Sequence, residues 1–190
     1  MTALALVGLP GSGKSAIGRR VAGRLDLPFL DSDTVIEQRI GCSIREFFER
    51  EGETRFRDIE EEVIAELAQA GGAVVATGGG AVLRPANRRQ LHEHFHVIYL
   101  RSTPEDLYRR LRHDVKRPLL QVADPLGRLR ELHAARDPLY RETAHDAVDT
   151  GRPSLGAVVQ AVLARLEAAG QAVPAGGDTA PQPLAARTGR

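Results

Sequence analysis

Residues 8–15 read GLPGSGKS and fit the spacing G-x-x-x-x-G-K-S/T. Gly11 and Gly13 let backbone N–H groups, those of Ser12 and Ala16 among them, close around phosphate oxygens at the positive end of a following helix. Lys14 brings a compact ammonium to the β/γ-phosphates, where a planar guanidinium fits poorly. The chain has only two lysines, Lys14 and Lys116, against 24 arginines, so a lysine at this position is selective. Ser15 offers a hydroxyl to Mg²⁺. Two carboxylates follow in FLDSD, Asp31 and Asp33. Strand alternation sends both to one side, at the edge where open α/β sheets bind ligands. Asp31 can then serve hydrated Mg²⁺ beside Ser15, and Asp33 can reach an acceptor hydroxyl. A helix-capping role for Asp33 is compatible with either.

The elements that must position these groups are legible as alternating apolar runs and amphipathic stretches. Strands are predicted over 3–8, 28–31, 73–77, 96–100 and 145–149. Helices are predicted over 14–25, 34–40, 44–50, 53–70, 85–92, 104–113, 125–136 and 154–169. Capping signals support several starts: Thr34 with Glu37, Ser43 with Glu46, and Thr103 before Pro104. Strand–helix repetition predicts an α/β fold, a five-stranded parallel sheet with helices on both faces. One domain over 1–171 is expected, and the Pro-, Gly- and Ala-rich residues 172–190 read as a disordered tail.

Composition narrows the function. A net charge of +1 over 190 residues favours neither a nucleic-acid binder nor a membrane-surface protein. The single cysteine, Cys42, can form no internal disulfide, which fits a reducing compartment. No apolar run approaches the roughly 20 residues that span a bilayer, and the start lacks the basic region of a signal peptide. A cytoplasmic location is the expectation.

A phosphate-binding loop alone does not choose among GTPases, motors and kinases. No N-K-x-D base-reading motif occurs, and DPLG at 124–127 has no strand leading into it. A motor ATPase would end a strand in an acid, whereas here VVATGGG ends one in Gly78, Gly79 and Gly80. The segments GLPGSGKS, DSD, GETRFRDIE, TGGG, RPLL and RDPLYRETA, in that order from Leu4 to about Leu166, resemble those of shikimate kinases.

The resemblance implies a P-loop kinase fold with a substrate-binding segment around 34–61 and a mobile lid around 112–124. It implies transfer of the γ-phosphoryl of ATP to the 3-hydroxyl of shikimate, with Mg²⁺, in a monomer on the route to chorismate. Arg57 and Arg136 match the family's carboxylate-binding arginines, and Gly78 to Gly80 its acceptor wall. Glu60, three residues after Arg57 on one helix face, would hold that arginine. Asp33 matches the aspartate that orients or deprotonates the acceptor. Arg117 falls in the lid, where it would close over the phosphates, with Lys116 beside it. Arg110 and Arg152 match adenine-side contacts, although Pro153 comes earlier than the family's usual spacing.

Three other readings carry distinct signatures. HEHFH at 92–96 formally satisfies the zinc-hydrolase pattern H-E-x-x-H, but FHVIYL reads as a strand, which would separate the histidines. A kinase for another small polyol acid, such as gluconate, shares the fold; Arg57, Arg136 and the glycine triplet argue against it. A nucleotide-binding regulator without turnover is the third.

Overall fold

In a computed structural model the chain is described over residues 3–112, 122–151 and 153–171. Five strands, β1 (Leu4–Val7), β2 (Phe29–Asp31), β3 (Val74–Ala76), β4 (His96–Arg101) and β5 (Asp146–Asp149), form one sheet in the order β2-β3-β1-β4-β5. Every pairing is parallel. Helices α1 (Lys14–Leu25), α2 (Ser32–Ile40), α3 (Ile44–Ala70), α4 (Pro85–His94), α5 (Pro104–Leu111), α6 (Pro125–Thr143) and α7 (Leu155–Ala168) supply the crossovers and flanks. Lys116, Arg117, Arg152, most of the expected lid and the 172–190 segment lie outside the described residues.

The central strands are apolar on both faces because helices cover both. In β1, Ala5 and Val7 enter one core with Val97 and Tyr99 of β4, under α3, α4 and α6. Leu4 and Leu6 enter the other with Ile98 and Leu100, under α1 and α7. A third, smaller cluster joins Ile36 of α2 to Phe47, Phe56, Ile59 and Val63 of α3.

Three boundaries differ from the sequence expectation. Helix α2 starts at Ser32, and its N-cap is Asp31, whose Oδ1 accepts from the Asp33 amide at 3.1 Å. Asp33 therefore sits in the first helical turn, and Thr34 forms no capping box with Glu37. The Glu37 carboxylate instead accepts from the Ile44 amide at 3.0 Å and ties α2 to α3. Helix α6 runs past residue 136 and through Pro138 to Thr143. Its last turns are anchored by buried Tyr140 and Thr143, and this packing outweighs the bond a proline removes. The helices expected over 44–50 and 53–70 meet at Gly52, which takes φ 82° and ψ 171° and kinks α3 there. The Ser43–Glu46 capping box and the Thr103 cap form as expected.

Candidate active site

The carboxyl ends of β1, β2 and β3 open onto a cleft of about 430 Å³ lined by Gly11, Lys14, Ser15, Asp31, Asp33 and Gly78, among others. Ala16 lies in the same lining, and Ser12 is fully buried in the loop. Gly13 caps α1 with φ 91°, a left-handed conformation that favours glycine, so the helix's first amides face the loop. Lys14 is buried, and its ammonium donates to the Gly8 and Leu9 carbonyls at 2.8 and 2.9 Å. The loop's own carbonyls thus hold the cation within the curve of the loop.

Ser15 Oγ donates to Asp31 Oδ2 at 2.6 Å, while the other Asp31 oxygen caps α2. Both aspartates reach one cleft, but not by strand alternation: Asp31 ends the strand and Asp33 arrives from the helix. Burial, then the charges of Asp31 and Glu60, push the Asp33 carboxyl up from its ordinary 3.8 to about 6, against a smaller opposing pull from Lys14.

The glycine triplet owes its composition to crowding rather than to backbone conformation, since none of the three has positive φ. A Cβ on Gly78 would stand 2.6 Å from Asp33 Oδ1, one on Gly79 2.7 Å from Pro10 Cδ, and one on Gly80 2.5 Å from the Arg57 guanidinium. Three functional segments therefore press on three consecutive residues. The Gly78 amide donates to Ser32 Oγ at 3.0 Å, which fastens the start of the wall to α2.

Arg57 and Glu60 share one face of α3, and Arg57 Nη1 donates to Glu60 Oε2 at 2.7 Å. Glu60 is the more deeply buried, with its side chain 1% exposed against 12% for Arg57. Burial raises the Glu60 carboxyl, and the charges of Arg57, Arg136 and Arg84 oppose that rise. Arg136, on α6, stands within electrostatic reach of Glu60 and of the Tyr140 hydroxyl, which brings it to the same corner as Arg57. Two guanidiniums thus converge on one side of the glycine wall.

A second cleft, of about 260 Å³, lies on the other side of the loop between Gly13, Ile17, Arg110, Thr150, Pro153 and Val158. Arg110 spans it, donating to the Gly11 carbonyl at 3.1 Å and to the Thr150 carbonyl at 2.5 Å. It holds the loop against the end of β5.

The sequence reading overlooked Ser32, Pro10 and Tyr140. Ser32 sits between the two aspartates it helps arrange, and Tyr140 lies inside RDPLYRETA, so both were in view as motif residues without a role. Pro10's contact with Gly79 joins segments far apart in the chain and leaves no local signal. As expected, the histidines of HEHFH do not share a helix: α4 stops at His94 and His96 opens β4. His92 Nδ1 meets the Thr143 carbonyl at 3.0 Å, His96 Nε2 meets Asp146 at 3.1 Å, and both rings stack on His145. Among the described residues no three His, Cys, Asp or Glu side chains are arranged to hold a metal.

Comparison with known proteins identifies the family. The family model described as shikimate kinase matches residues 10–167. A shikimate kinase of Paracidovorax citrulli is 59% identical over 168 residues, covering 87% of this chain and 92% of the relative. The solved shikimate kinase of Acinetobacter baumannii, in complex with shikimate, superposes with TM-score 0.82 at 39% identity, covering 89% of this chain and 95% of that one. A gluconokinase of Sinorhizobium meliloti reaches TM-score 0.50 at 21% identity over 87% of this chain and 93% of its own, a likeness of fold alone. With a matching family model over most of its length and a relative this similar, the chain belongs to the shikimate kinase family, and its kinase is of the ATP-dependent phosphotransferase type.

Proposed function

We propose that the larger cleft transfers the γ-phosphoryl of ATP to the 3-hydroxyl of shikimate, with Asp33, Arg57 and Arg136 holding the acceptor. The observation that carries this reading is the glycine wall, on which a carboxylate presses at Gly78 and a guanidinium at Gly80. An acceptor lying along it meets a hydroxyl-binding group at one end and a carboxylate-binding group at the other. A forked guanidinium matches a carboxylate, and each charged hydrogen bond contributes about 1.5–3 kcal/mol.

The nucleotide's phosphates belong at the backbone amides of Gly11 to Ala16, and its base in the cleft crossed by Arg110. Lys14 exchanges its loop carbonyls for phosphate oxygens. Ser15 and Asp31, hard oxygen donors in contact, are the residues that would hold a hydrated Mg²⁺. That ion neutralises charge on the β- and γ-phosphates when bound. Asp33 accepts the acceptor's hydroxyl proton as the new O–P bond forms and the bond to the β-phosphate oxygen breaks, leaving ADP. Arg117 and Arg152 keep the roles the resemblance implies, closure over the phosphates and contact with the base. The reading takes the protein as a cytoplasmic monomer working on these two small molecules.

The test is ADP release from MgATP with shikimate, gluconate or quinate as acceptor. Release dependent on shikimate alone supports the reading. Release with gluconate would keep the kinase and remove the roles of Arg57 and Arg136. Tight ATP binding without release under any acceptor would favour a regulator. Within the site, Arg136→Ala should raise the shikimate KM about tenfold or more while the ATP KM stays within about twofold. An unchanged shikimate KM would remove Arg136 from the site.

A further inference from the structure

Tyr140 lies one helical turn after Arg136 on α6, and none of the roles above uses it. Its ring is fully buried and packs against Tyr99 with centroids 5.0 Å apart. Its hydroxyl donates to the Gly79 carbonyl at 2.6 Å. A phenol has a single proton to give, and here it goes to the Gly79 carbonyl, with the positive charge of Arg136 within electrostatic reach of the hydroxyl. Burial pushes the hydroxyl up to about 12, which keeps the proton in place and fixes the direction of the bond to Gly79.

The consequence follows from peptide planarity. The Gly79 carbonyl and the Gly80 amide belong to one trans peptide, since no cis bond occurs among the described residues. In a trans unit the C=O and N–H bonds point in opposite directions. Fixing the carbonyl on Tyr140 therefore aims the Gly80 N–H away from Tyr140. Gly79 is packed on Pro10 and Gly80 on Arg57, so neither residue can follow a different peptide orientation without disturbing a neighbour. Tyr99 steadies the base of this arrangement by donating to Asp137 Oδ1 at 2.9 Å, one residue beyond Arg136.

We propose that Tyr140 is a positioning residue for the acceptor: its hydroxyl fixes the central peptide of the glycine wall, holding the Gly80 N–H in one orientation toward the acceptor's place. The proposal rests on the acceptor reading given above. It assigns to the tyrosine of RDPLYRETA a part in catalysis that acts through the glycine wall and touches no substrate atom.

Tyr140→Phe keeps the ring and removes the hydroxyl. The shikimate KM should rise about tenfold, the equivalent of one charge-assisted hydrogen bond, while the ATP KM and kcat remain within about twofold. A hydroxyl that served packing alone would lower the melting temperature and leave the shikimate KM unchanged, and that result would overturn the proposal. If that unchanged KM came alongside a raised one in Arg136→Ala, the acceptor site would still stand. No effect of Arg136→Ala would overturn both. Tyr99→Phe, which removes the neighbouring buried hydroxyl, is the second variant: it should lower the melting temperature with little change in shikimate KM. A rise there equal to that of Tyr140→Phe would assign the effect to packing of the pair and sink the proposal.

Discussion

Asp33 shows how one residue can be set against the stability of its own fold. Its carboxyl titrates near 6 in the folded chain and near 3.8 when unfolded, so between those values the folded state holds a proton the unfolded state has lost. Stability therefore falls as pH rises through that window, and above about 6 the buried charge costs on the order of 2–3 kcal/mol. Asp33→Asn should melt higher than the parent at pH 8, with the gap closing toward pH 4, while turnover drops by at least about 10²-fold. Calorimetry at the two pH values checks the first half; a variant less stable at pH 8 would contradict it. For the parent, kcat/KM for shikimate should decline as pH falls through about 6, since the protonated acid cannot take the acceptor's proton. Lys14→Ala should lower kcat by about 10²–10³-fold, the usual effect of losing one donor to developing charge. These residues were readable beforehand because their types and local spacing state their chemistry. Asp33's exact setting was not, because it sits in a helix whose start was placed two residues late, and its neighbour Glu60 comes from the separate helix α3.

Among elements, the turn after β3 concentrates the most information in the fewest atoms. Its glycines were legible as glycines beside a ligand, but which side chains press on them was not, since Asp33, Pro10 and Arg57 come from three separate segments. Those contacts separate two otherwise similar substitutions. Gly80→Ala pushes on the far end of a flexible arginine, so it should raise the shikimate KM and leave the ATP KM nearly unchanged. Gly79→Ala meets a proline ring in the phosphate-binding loop, which cannot swing aside, so both KM values should rise. Steady-state kinetics on the pair decides it; identical profiles would remove the distinction. Helix α6 teaches a related lesson. Pro138 is a sound local reason to end a helix, but buried Tyr140 and Thr143 carry it onward and thereby bring Tyr140 to the wall.

At the scale of the whole molecule, the parallel sheet with two buried faces was legible because both faces leave their mark as continuous apolar runs. The strand order β2-β3-β1-β4-β5 has no such mark and came from the structure. It sets β1 centrally, so the loop that follows it can be flanked by the acceptor wall on one side and the Arg110 cleft on the other. Ligands at that junction should stabilise the entire sheet: MgATP at a hundred times its Kd is expected to contribute about 2.7 kcal/mol, and EDTA should remove most of the shift in melting temperature that ATP produces. The third apolar cluster has a different implication. Because α2 and the facing half of α3 possess a small core of their own, joined to the main one through residues such as Leu67, they should open as a separate unit of cooperativity. Their amide hydrogens should exchange with solvent through a sub-global opening that leaves β1 and β4 protected. A molecule bridging Asp33 and Arg57 to Gly79 and Arg136 would span that seam, so shikimate should slow exchange in α2 far more than in β4.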